Sequence, residues 1–184
     1  KNIKHYSKFA LLTAYLFIVS IAILIFYWAP SLAMVLFIIF SAYHFGEQHW
    51  DHRFSTSKTL LKSSFYFSYG ILILFMLFNF NDAGVKLIVF EITGYEIANL
   101  YVNTVLAILG GFIGIVLFTE FSTKRLSIQI ILKELFTLAV LAIIFSSSSL
   151  IWGFSIYFIL WHSIPSLIEQ INFGINRQMI LINF

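Results

Sequence analysis

The sequence predicts an all-α, polytopic transmembrane helical bundle, and three observations carry that prediction. Of its 184 residues 60% are hydrophobic and 10% charged, whereas soluble domains carry about 25% charged residues. The apolar residues fall in continuous runs close to the ~20 residues that a bilayer-spanning helix needs. They lack the strict alternation of a membrane barrel strand, and open strands would leave unpaired backbone groups in lipid.

Six spans follow in order: 8–29, 31–50, 59–80, 98–119, 127–147 and 149–172. Pro30 and Ser31 break the first run from the second. The polar stretch Asp51 to Thr59 separates the second from the third. Between the third and fourth lies a mildly apolar stretch, 82–96, interrupted by Gly84 and Gly94; it either follows the outer interface or folds back part-way. Glu120 to Arg125 closes the fourth span, and the serine run Ser146 to Ser149 divides the last two. Trp28, Trp50 and Trp152 fall near span ends, where indole rings anchor at the interface. No internal repeat interrupts this order, so residues 1–184 are expected to form a single integral-membrane domain. The opening at Lys1 and the apolar close over 178–184 suit an internal fragment of a longer chain. The first run is too long for the h-region of a signal peptide.

Charge placement orients the bundle. Lys1, Lys4, Lys8, Arg53, Lys58, Lys62, Lys124, Arg125, Lys133 and Arg177 flank the spans on one side, ten of the eleven basic residues. Lys86 stays opposite with Asp82, Glu91 and Glu96. By the positive-inside rule the basic side is cytoplasmic, as is the N-terminal flank. The plasma (inner) membrane is the expected location. The net charge of +3 is then a consequence of insertion and implies no nucleic-acid partner. The absence of cysteine excludes disulfides, thiolate nucleophiles and Cys-ligated metals. The 22 phenylalanines suit either lipid-facing filler or the lining of a flat apolar ligand.

Chemistry points to His44 and His162, each a titratable ring inside an apolar run, where polar groups are costly and face a bundle interior. His44 lies about six residues, roughly 9 Å, from the cytoplasmic end of its span; His162 lies about ten residues, roughly 15 Å, from the same side. These depths allow one shared site. At about 100° per residue, Glu47, Gln48 and Asp51 follow His44 on one face, and Ser166 and Glu169 follow His162. Each histidine therefore heads a polar stripe of the kind a buried metal or proton site needs. Glu47 and Glu169 are placed to hydrogen-bond the second ring nitrogen of a ligating histidine. His49 is expected about 140° away from His44 and reads, with His52, as interfacial; His5 reads as a solvated flank. Pro165 withholds a helical hydrogen bond from the carbonyl of Trp161 and predicts a kink. Gly46 predicts close approach of a helix or ligand beside His44.

At these motifs the sequence resembles the Brp/Blh family of integral-membrane carotene cleavage proteins. The resemblance rests on Tyr43-His44-Phe45-Gly46 with Glu47, on Trp161-His162-Ser163 in a late span, and on the Phe-rich polytopic character. It implies an iron-dependent dioxygenase that uses Fe(II) and O₂ to split β-carotene at its central 15,15′ double bond into two molecules of retinal. It also implies metal ligation by His44 and His162, and an association with a retinal-binding protein. A further family histidine belongs to an earlier span. Another follows the HS-motif histidine by four residues, where this chain has Ser166, so that a carboxylate or water fills the position or the chemistry is altered. Such a substrate is already dissolved in the bilayer and enters a cleft between helices laterally; Tyr43, Phe45, Tyr157, Phe158 and Trp161 are the expected lining.

Two other classes fit the same residues. One is a proton-coupled transporter or relay through His44, Glu47, His162 and Glu169. The other is a non-catalytic membrane protein that binds carotenoid. Iron content separates the enzyme from both, and proton flux in vesicles identifies the transporter.

Overall fold

A computed structural model describes residues 8–51, 53, 59–98, 101–168, 170 and 171. Within them the chain forms helices and turns only: α1 Lys8–Trp28, α2 Pro30–Trp50, α3 Thr59–Phe80, α4 Asp82–Thr93, α5 Val102–Ser122, α6 Ile128–Ser147 and α7 Leu150–Tyr157, which continues as a π-helical turn over Phe158–Ser163. Five helices among the described residues are long and apolar enough to cross a membrane, the last being Leu150–Ile168. The chain is an integral membrane protein. The first of the six expected spans coincides with α1, helical over Lys8–Trp28 and predominantly apolar in sequence from Phe9 to Trp28.

Local signals explain most boundaries. Pro30 occupies the first turn of α2, where its missing N–H costs no helical bond. Ser127 caps α6 by accepting from the backbone N–H of Ile130. The stretch over 82–96, for which two courses were open, forms the helix α4, closed by Gly94 in the left-handed conformation (φ 73°). The fourth span is displaced from the expected 98–119, since α5 begins at Val102. Glu120 was to end the fourth span, yet α5 runs past it to Ser122 because the carboxylate is buried and faces Arg125 at 3.7 Å.

α3 is the hub. Its Phe65, Tyr66, Tyr69, Ile73, Leu74 and Leu77 are buried, and it packs against α2, α4, α5, α6 and α7. α1 touches the bundle through α2 and otherwise presents apolar side chains outward, as a helix bordering lipid does. The tightest seam joins α2 and α3, which run antiparallel. A Cβ on Gly46 would stand 1.9 Å from the carbonyl oxygen of Tyr66, and one on Gly70 would stand 1.8 Å from that of Ala42. Gly46 thus admits a neighbouring helix rather than a ligand, by the small-residue packing that lets membrane helices approach.

Candidate functional site

The end of the bundle carries the histidines because α2 and α7 are brought side by side there. The rings of His44 and His162 meet edge to face with centroids 4.9 Å apart. His162 is half-buried and is flanked by Phe45 at 5.2 Å and Phe158 at 4.8 Å. The backbone bearing it is unusual. Pro165 has no N–H to donate, and in the turn before it the helix widens so that Ile164 N–H bonds to the carbonyl of Ile159, five residues back. Such π turns concentrate at functional positions. Here the expected kink takes that form.

Gln48 locks the arrangement. Its Nε2 donates to the carbonyl oxygen of His162 at 3.0 Å and to Ser166 Oγ at 2.9 Å. A carbonyl only accepts, which fixes the amide orientation and leaves Gln48 Oε1 facing His162 Nδ1. Nδ1 must therefore carry the proton, and the lone pair falls on Nε2. That tautomer leaves Nε2 free to ligate a metal. Ser166 is engaged by Gln48, so the serine in place of an expected histidine serves as a hydrogen-bond acceptor.

The two histidines border a cavity of about 460 Å³, walled otherwise by Phe37, Phe40, Ser41, Phe45, Phe154 and Phe158. Of the five aromatic residues expected to line a cleft, Phe45 and Phe158 do so. Tyr157 is buried behind Phe45, at 5.3 Å; Trp161 packs on the core; Tyr43 turns to Tyr66 of α3 at 6.3 Å. Glu47 is half-buried on α2, and Glu169 lies outside the described residues, as do His5 and His52. Asp51, expected on the His44 stripe, is instead held by α3: Lys62 Nζ donates to it at 2.8 Å and Tyr66 OH at 3.2 Å.

Does the cavity suit a metal? Two imidazoles at one apolar wall, one with its tautomer fixed, fit iron(II) as part of a ligand set. Among the described residues no group of three His, Cys, Asp or Glu side chains gathers to complete one.

A second polar cluster lies on the other face of α2. His49 Nε2 stands 2.6 Å from Glu134 Oε2, Arg53 Nη1 donates to the same oxygen at 3.2 Å, and Tyr69 OH donates to Glu134 Oε1. The Tyr69 ring also stacks on His49 at 5.0 Å. Glu134 is only 2% exposed, so this network satisfies a buried charge and ties α2, α3 and α6 together. His49 is thus an internal clamp rather than the interfacial group expected. Sequence reading singled out neither Glu134 nor Tyr69; a lone acidic residue inside an apolar span was the available signal.

Neither a curated protein nor a solved structure matches the chain. One family model does, that of beta-carotene 15,15′-dioxygenase, over residues 1–183. With paired histidines at an apolar cavity in a membrane bundle and a match spanning nearly every residue, the chain belongs to the beta-carotene 15,15′-dioxygenase family.

Proposed function

We propose that this protein cleaves β-carotene at the central 15,15′ double bond to give two molecules of retinal, using O₂ and an iron(II) centre to which His44 and His162 contribute. The supporting observation is the convergence of these two rings, 4.9 Å apart, on the wall of an aromatic cavity. Bound iron would supply the activation of O₂ toward an electron-rich double bond. The protein's own part is positioning. Gln48 holds the His162 tautomer and, through the carbonyl of His162 and Ser166, pins the π turn that carries the ring. Phe45 and Phe158 exclude water and offer flat faces to a polyene. Phe40, 68% exposed, and Phe158, 38% exposed, mark the lipid-facing mouth, through which a bilayer-dissolved hydrocarbon enters without crossing water. The protein would reside in the inner membrane with its N-terminal flank cytoplasmic, and would hand retinal to a retinal-binding protein.

In cells accumulating β-carotene, expression should bleach the colour and yield retinal. His44→Ala and His162→Ala should each abolish the conversion and strip iron from protein purified in detergent. His49→Ala should leave iron content close to that of the parent. Well-expressed, iron-loaded protein that leaves β-carotene intact would replace this reading with carotenoid binding alone. That second reading is favoured by one observation, the absence among the described residues of a third metal donor beside the pair.

A further inference from the structure

A larger cavity, about 790 Å³, adjoins the histidine cavity. Phe37 and Phe154 line both, and their rings stand 6.3 Å apart. We propose that this second cavity binds one ring-bearing half of the carotene, with the Phe37–Phe154 pair as the sill over which the polyene passes to His44 and His162. This deepens the cleavage reading above and rests on it for the placement of the reacting bond.

The volume lies within the ~300–1,000 Å³ of small-molecule sites. Position agrees as well. The cavity reaches Ser31, and the rise along α2 from His44 to Ser31 is roughly 20 Å, so a ligand laid beside α2 extends away from the histidines. The chemistry of the wall names the ligand class. It is built from residues such as Met34, Leu74, Val85 and Val89, and the hydroxyl of Thr93 is spent on the Val89 carbonyl at 2.7 Å. Such a wall offers contact to hydrocarbon and little else. A symmetrical substrate would then be held asymmetrically, one half enclosed by α2, α3, α4 and α7, the other leaving past Phe40 toward lipid. The depth of the enclosed half fixes which double bond meets the histidine pair.

Retinyl acetate, a half-length ligand, tests this in detergent-purified protein without reference to turnover. Val89→Trp fills the cavity from α4 and should weaken its binding about tenfold or more, as misfit in an apolar pocket does. The same variant should raise KM for β-carotene or shift cleavage away from the centre, giving unequal aldehydes. In the unaltered protein a retinyl probe with a diazirine on its ring should label α4, a result that does not depend on the variant folding. Retinyl binding and central cleavage both unchanged in Val89→Trp, or labelling that avoids α4, would overturn the proposal. Oleate binding as tightly as retinyl acetate, and lost in parallel, would assign the cavity to a lipid chain and overturn it too. If retinal never forms yet retinyl binding falls in Val89→Trp, the cavity assignment stands and the cleavage reading fails.

Discussion

Gln48 shows how one uncharged residue organises a site. It spans α2 to α7, accepting from His162 Nδ1 and donating to two acceptors around the π turn. Groups that orient a ligating histidine are worth about 10- to 100-fold in metal affinity or activity. Gln48→Leu should therefore lower iron affinity and retinal formation by about that factor, read by metal titration and product analysis, while Gln48→Glu, which keeps an acceptor for Nδ1–H but loses the donor to the His162 carbonyl, should restore only part of the loss. Unchanged iron affinity in Gln48→Leu would mean that His162 is oriented by something else. The helical period placed Gln48 on the His44 face, so its direction was legible. Its partner was not, because a period reports a face and not which helix covers it. For the same reason Asp51 was read with His44, although α3 claims it through Lys62 and Tyr66.

At the scale of elements, α3 decides where α2 sits, and two glycines decide how closely. Overpacking a core costs about 1–3 kcal/mol, but the obstacle here is backbone carbonyl, which has no rotamer to escape into. Gly46→Ala and Gly70→Ala should each destabilise the protein by roughly 3 kcal/mol or more, at the upper end of that range. Thermal unfolding in detergent measures this, and wild-type melting in either variant would contradict the seam. The clamp on the opposite face acts at the same scale. Removing one member of a buried charge pair costs about 3–5 kcal/mol, because the partner is left buried and uncompensated. His49→Ala falls below that range, since Arg53 and Tyr69 still reach Glu134; Glu134→Ala removes all three bonds at once and should melt earlier than His49→Ala. Span positions were legible from apolar runs to within a few residues. The burial of Glu134 and Glu120 was not, since an acidic residue in such a run looks the same whether a partner waits for it or not.

Across the whole molecule, the paired charges sort by end. Arg53 with Glu134, Lys62 with Asp51, and Arg125 with Glu120 all lie where α2, α3, α5 and α6 meet their connections on the basic side. Lys86 with Asp82 stands on α4 at the other. The apolar girdle between them is what lipid would cover, with side chains such as Phe118, Phe136 and Ile143 turned outward. Bilayer insertion favours Lys and Arg on the cytoplasmic side, so the basic end should face the cytoplasm and α4 the exterior. The histidine pair would then lie nearer the cytoplasmic end and the larger cavity nearer the outer one, since α2 runs inward from Pro30 to Trp50. In this cysteine-free chain single cysteines report the orientation cleanly. Lys124→Cys, in the turn between α5 and α6, should react with a membrane-impermeant maleimide only from the cytoplasmic side. Glu91→Cys, at an exposed position of α4, should react only from outside. Labelling of both from one side would deny that α5 crosses the membrane between α4 and the turn to α6, and with it the assignment of the larger cavity to the outer half. Opposite labelling in the reverse sense would preserve the bundle and invert it, placing the histidine pair nearer the exterior face.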